Sequence, residues 1–529
     1  MIPQKRNWLF ALLLTTPMVV FFLGYLFNHS NDLEPTGFIQ HDNISYVAYA
    51  KQYLDSDKNS LFYSNPFNDS DDHQPIYFQT QTLLFAGLMK AGIPPGWILI
   101  PFTLVCSLIC FWLLIAIYDH LFPGNKHRTI SIWLLAWGGG LLTLSGFFAQ
   151  LIYGSSNVNS IFFLDPGSGW WGLNFGRALF FSCEAYYHVL FLGVIYCLLK
   201  QKWPGVLAIS AILSISHPFT GIELLSIANT WLLVEKIIFK NKSIPAWLVI
   251  GELLILLFHL YYYLYYLNQF DDHHSVNEQY ALNWRLRFFS IIPAYSITGM
   301  LALLSVWKIN KPRKFFSKSQ NRLFLLWFLV AFGLANHEMV MKPMQPLHFT
   351  RGYIWTSLFI LGIPALHYLL SNLTASIFQK ITLGFFVLFF FSDNLAWIYS
   401  QSSAKATTPS TSYLNSEQKK IFTLLKKHTT NRSLIIGSDE LIPYMSSVYS
   451  RAYPWLSHPF TTPYVAQKKA ALSRFIESGA IDPSWKGREL IFVIDKKDSL
   501  AVKRAGTLSF PATILAETVS YKVLETVIP

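Results

Sequence analysis

Asp42, in GFIQHDNISYVAYA, stands between an apolar run that ends near Phe27 and a stretch with helical periodicity, Asn43–Asp55. A carboxylate presented there can take a proton from a hydroxyl, the work of a general base. Asp is also a favoured helix N-cap, so a structural reading stands beside the chemical one. Asp165, in FFLDPGSGWWGLNFGR, is a second isolated acid, followed by the Pro and Gly of a turn. Trp170 and Trp171 beside it, and Tyr46 after Asp42, offer flat faces for a sugar or acceptor pocket. Positive groups gather in NHEMVMKPMQPLHFTRGYIW as Lys342, His348 and Arg351, the last two sharing a helix face three residues apart. Arg177 adds another cation at the end of the Asp165 segment. An Arg fork suits a phosphate, although snorkelling to lipid headgroups would put cations in the same places. His217, in SHPFTG, reads as a pocket residue or as a satisfied buried histidine.

Two clusters look metal-like, NDSDDH (Asn68–His73) and DDHH (Asp271–His274). Neither has a fixed ligand spacing, so both are expected as solvated loop. No cofactor is expected, with a divalent metal as the lesser alternative.

The elements that must hold these residues are apolar. Of 529 residues, 52% are hydrophobic and only 13% charged, with a mean hydropathy of +0.34. That composition predicts a polytopic α-helical membrane protein. About eleven spans fit, near 8–27, 97–118, 129–149, 178–199, 205–217, 222–239, 244–267, 287–307, 321–336, 352–370 and 377–399. The net charge of +12 sits mainly in short loops such as Lys126/Arg128, Lys236/Lys240/Lys242 and Lys308–Lys318. This is positive-inside bias, which sets the N-terminus in the cytosol and leaves no nucleic-acid site to explain. The four cysteines lie within apolar runs, so no disulfide framework is expected.

That threading puts residues 28–96, 150–177, 268–286, 337–351 and everything after 400 on the outer side. Two surface helices are expected in the first loop, Asn43–Asp55 and Ile76–Lys90. Residues 1–400 form the membrane domain, 401–415 a linker, and 416–529 a small α/β domain. In the latter, Ser416–His428 and Thr462–Ser478 read as helices and SLIIG and ELIFVID as strands. Asp439 and Glu440 read as caps for the next helix.

Taken together, the cytosolic start, GFIQHDNISYVAYA with its acid before a surface helix, the second loop with Asp165 and the outer C-terminal domain resemble the GT-C glycosyltransferases. Among these, the protein O-mannosyltransferases and aminoarabinose transferases are the nearest in type. The resemblance implies transfer of a hexosyl or pentosyl group from a polyprenyl-phosphate sugar, with inversion, to a protein, glycan or lipid acceptor. It makes Asp42 the catalytic carboxylate and Asp165 a contributor, in a bacterial inner membrane with a periplasmic site. Where the family often pairs its acids, Asp42 is flanked by His41 and Asn43, and Asp165 stands alone. That pattern matches the metal-independent branch. Because every candidate named above precedes Ser402, the C-terminal domain is expected to shape acceptor access. The rival readings are a lipid or solute transporter or flippase, for which Glu223 and Glu252 are the intramembrane acids, and a scaffold whose tail binds a partner.

Overall fold

The computed structural model describes residues 4–55, 60–70, 74–153, 173–279, 288–309, 311–372 and 376–528. The chain is mostly helical and divides into two compact units. One comprises 1–24, 102–263 and 281–404; the other comprises 25–101, 264–280 and 405–529.

The first unit is a bundle of apolar helices. Over the whole chain, five helices among the described residues are long and apolar enough to cross a membrane, or up to seven if each of two bent pairs is one span. Trp203–Ser216, Ile291–Trp307 and Ser319–Ala335 are apolar but shorter.

Two expected straight spans are broken. Lys5–Leu14 and Thr16–Phe27 meet at 42°, and Arg128–Trp137 and Leu142–Phe148 at 59°. The second break falls on Gly138–Gly140, where backbones approach too closely for side chains. A Cβ on Gly138 would lie 2.3 Å from the Phe390 ring, and one on Gly140 2.3 Å from the Ala294 carbonyl oxygen. Backbone groups freed by a break inside an apolar bundle need partners from within the protein. Gly139 N–H donates to the Phe390 carbonyl and Leu141 N–H to that of Pro293, both at 2.7 Å. Asn394 Nδ2 donates to the Trp137 carbonyl at 2.8 Å. The buried Asp393 carboxylate then receives Leu142 N–H at 3.2 Å and Thr143 N–H at 2.8 Å, capping the next helix.

The second unit joins residues 25–101 and 264–280 to the tail. Strand β1 (Leu33–Pro35) pairs antiparallel with β2 (Tyr413–Asn415). A five-stranded sheet follows, from β3 (Leu434–Gly437), β4 (Tyr453–Pro454), β5 (Glu489–Asp495), β6 (Thr513–Glu517) and β7 (Tyr521–Val527), in the order β4-β3-β5-β7-β6. β3 is parallel to β4 and β5, while β7 is antiparallel to β5 and β6. Trp455, Phe475, Trp485, Leu490 and Phe492 fill the core on this sheet.

The helices Asn43–Asp55 and Ser416–His428 form as expected, while the second loop helix is shorter, Thr80–Lys90. Val465–Ser478 begins three residues later than expected, after Tyr464 at φ +54°. DDHH is the opening of a helix, Asp271–Gln279, rather than loop. Acids in a first turn are favoured by the exposed N–H groups there.

Removing the Asp393 carboxylate leaves two N–H groups at the break without their acceptor. Asp393→Ala should therefore destabilise the protein by about 2–3 kcal/mol, read as a lower midpoint in thermal or denaturant unfolding of detergent-purified protein. An unchanged midpoint would show that the break is held by the glycine packing alone.

Candidate functional site

In the second unit, Asp42 lies immediately before the helix Asn43–Asp55, whose Ile44, Val47 and Ala48 are buried. Its carbonyl accepts the Ser45 N–H at 3.1 Å. Its side chain is 66% exposed, and Oδ1 lies 3.0 Å from Nε2 of His458, whose own side chain is 7% exposed. Phe460 N–H donates to His458 Nδ1 at 3.2 Å, which puts the proton of the neutral imidazole on Nε2, facing the carboxylate.

The His41 ring packs 5.0 Å from that of His458 and 4.6 Å from that of Tyr444. Loss of hydration, and then the neighbouring His458, lower the His41 pKa and favour its neutral form. Tyr444 O–H donates to the His41 carbonyl at 2.8 Å and lies 2.9 Å from Ser45 Oγ, which then acts as the donor to it. Tyr46 is half-buried against Tyr49 and starts an aromatic run through Tyr63 and Tyr77 to His273. Burial, then His274, lower the His273 pKa to about 4, and its Nδ1 meets Tyr77 Oη at 3.0 Å.

In the first unit, Arg351 is buried and ion-paired to Glu184, an acid that sequence reading passed over inside an apolar run. Gly352, at φ +82°, lies 3.0 Å (from the position of a Cβ) off the Phe175 backbone, so the turn carrying Arg351 has no room for a side chain at the next residue. His217 caps Pro218–Leu233, its Nδ1 accepting the Thr220 N–H at 3.1 Å, and its ring stacks on Tyr187 at 4.4 Å. His348 stacks on Phe219 at 4.4 Å and lies 5.8 Å from His217, ring to ring. Arg351, His348 and His217 are thus brought together. Lys342 is exposed. Arg177 is buried, donating to the Asp393 carbonyl at 3.1 Å and lying over the Trp397 ring. Asp165, Trp170 and Trp171 lie outside the described residues, as does the DDH of NDSDDH.

Glu184, His217 and His348 bring ligand atoms within 4.8 Å of one another, the one such group found among the described residues. Their donors fit a metal poorly. The His217 cap leaves its proton on Nε2, and Arg351 already neutralises Glu184. A cation would have to undo the cap or sit beside a guanidinium. Elsewhere, Asp69 is held by Lys468 and Arg488, and Asp272 by Asn68.

No protein-family model and no curated protein matches this sequence. Solved structures do. ArnT from Cupriavidus metallidurans in the apo state aligns with a TM-score of 0.50 at 11% identity, over 98% of this chain and 98% of that one. The mycobacterial arabinofuranosyltransferase AftD aligns with a TM-score of 0.53 at 13% identity, over 97% of this chain and 40% of that one. Both are GT-C glycosyltransferases. This chain has the GT-C fold. At such identities the likeness carries architecture, and the chemistry has to be argued from the site.

Within this GT-C chain, breaking the buried pair should cost more than removing it. Arg351→Ala should destabilise by about 3–5 kcal/mol, and adding Glu184→Leu should recover much of that, as unfolding midpoints will show. Additive losses would mean that the two charges do not depend on each other. Chelation by EDTA should leave the unfolding midpoint where it was. A fall restored by Zn²⁺ or Mn²⁺ would make the Glu184, His217 and His348 group a metal site.

Proposed function

We propose that this protein moves a glycosyl group from a polyprenyl-phosphate sugar to an acceptor hydroxyl on a protein, glycan or lipid, at the outer face of a bacterial inner membrane. The observation that carries the reading is the exposed Asp42 carboxylate, held by the buried His458 imidazole in a chain of GT-C fold. Asp42 takes the acceptor's proton as its oxygen bonds to the anomeric carbon. The bond from that carbon to the phosphate oxygen breaks, and polyprenyl phosphate leaves with the electron pair. Attack from the face opposite the phosphate inverts the anomeric centre. The leaving phosphate needs positive charge and hydrogen-bond donors, and the assignments are Arg351, Lys342, His348 and Arg177. Asp165 keeps its proposed supporting role, with Trp170, Trp171, Tyr46 and His217 as pocket residues.

The transport reading is favoured by one observation. Glu223 and Glu252 are fully buried among apolar helices, where an ion or proton path would put acids. Proteoliposomes separate the two readings, because a transporter moves polyprenyl-phosphate mannose across the bilayer without splitting it.

Asp42→Asn keeps the size of the side chain and much of its capping ability while removing the base. Released polyprenyl phosphate should be measured with short-chain polyprenyl-phosphate mannose and arabinofuranose as probes. Turnover should fall by about 100-fold or more, with the unfolding midpoint kept. A well-folded Asp42→Asn variant with wild-type turnover would leave Asp42 a helix cap and no more.

A further inference from the structure

The geometry points to His458, in the C-terminal segment, as the residue that positions Asp42 for proton abstraction by donating its Nε2–H to Oδ1. The inference rests on the proposed role of Asp42 as base. It also gives the tail a part in the chemistry beyond acceptor access.

Three observations carry it. The first is the bond itself, 3.0 Å between a carboxylate that is 66% exposed and an imidazole that is 7% exposed. An exposed Asp has several rotamers open to it, and a buried partner selects one. The second is the tautomer. Phe460 N–H occupies Nδ1 at 3.2 Å, so a second proton on His458 would meet another donor head-on. With Nδ1 taken up as an acceptor, Nε2–H is the group that faces Asp42. The third is the bracing of the ring, with His41 at 5.0 Å, Tyr444 at 5.4 Å and Phe460 at 5.5 Å between ring centres.

Among the described residues, titratable and charged groups from several elements face the pair. His41 precedes Asp42, and Tyr444 comes from the helix Leu441–Tyr449. Glu440 acts on His41 and is itself paired to Lys469 at 3.1 Å. A donor to the ionised form lowers a carboxyl pKa. Without the His458 bond, Asp42 should hold its proton to higher pH and lose base capacity on the acid side.

The test needs no knowledge of the acceptor. Carbodiimide labelling of Asp42 in the full-length, detergent-purified protein, followed by peptide mass spectrometry across pH, gives the midpoint of its ionisation. His458→Gln keeps an amide donor near the place of Nε2. His458→Asn reaches only as far as Nδ1, and His458→Leu has no donor. The midpoint should rise by about one pH unit, a tenfold change in ionisation at fixed pH, in the Leu and Asn variants and stay near wild type in the Gln variant. The acid limb of donor turnover, measured with polyprenyl-phosphate mannose, should move with it. A midpoint unmoved in His458→Leu and His458→Asn overturns the inference, as does an equal rise in all three variants. If the midpoints behave as stated while Asp42→Asn turns over donor at the wild-type rate, the positioning stands and the assignment of Asp42 as base falls.

Discussion

The second unit depends on a hydrogen-bonded seam between segments that are distant in the chain. β1 and β2 pair in register, Thr36 Oγ1 donates to the Thr411 carbonyl at 2.7 Å, and Ser45 meets Tyr444 across 399 residues of sequence. Tyr25 ties the seam at its start, accepting Gly37 N–H and donating to the Ser412 carbonyl. Each bond contributes about 1 kcal/mol net, too little alone to set the geometry. Together they fix the register, and register is what brings His458 to Asp42. A slip of one residue at β1 would turn Leu33, which is buried, to the opposite face. The candidate base is therefore positioned by the pairing of loop and tail, and its own helix supplies only the starting point.

This also shows which parts of the site were readable in sequence. Asn43–Asp55, Ser416–His428 and ELIFVID announce themselves, because periodicity and capping are local properties. Asp439 likewise accepts the Ile442 N–H at 3.0 Å, as its place after a strand suggested. His458 sits in WLSHPFTT, an aromatic stretch without a catalytic spacing, and only tertiary pairing gives it a partner. Glu184 carried a weak signal that could have been used. An acid inside an apolar run requires a cation, and Arg351 was already in view. The broken span at Gly138–Gly140 carried a stronger one, since three glycines in succession disfavour a continuous helix.

Imidazole suits the place beside Asp42 better than the cations common elsewhere in this chain. A Lys or Arg on Oδ1 would hold the carboxylate ionised more firmly, and would thereby weaken it as a base in the same step. Base strength and ionisation at working pH pull against each other. A ring N–H takes the middle course, fixing direction at a smaller cost in basicity. The Phe460 N–H on the far side of the ring leaves Nε2 as the donor to Asp42.

The Arg351–Glu184 pair poses the opposite problem, because here a cation is already committed. Arg351 is 8% exposed and Glu184 2% exposed, so neither charge can be left to water. A phosphate that took Arg351 would strip Glu184 of its partner, a loss of about 3–5 kcal/mol for a buried charge left alone. Two charge-assisted bonds to phosphate return about 1.5–3 kcal/mol each, so the exchange comes out near balance. A phosphate would therefore have to match what Glu184 supplies before it could draw Arg351 away. As the pair stands, it keeps a guanidinium within an apolar bundle, at the turn that Gly352 makes.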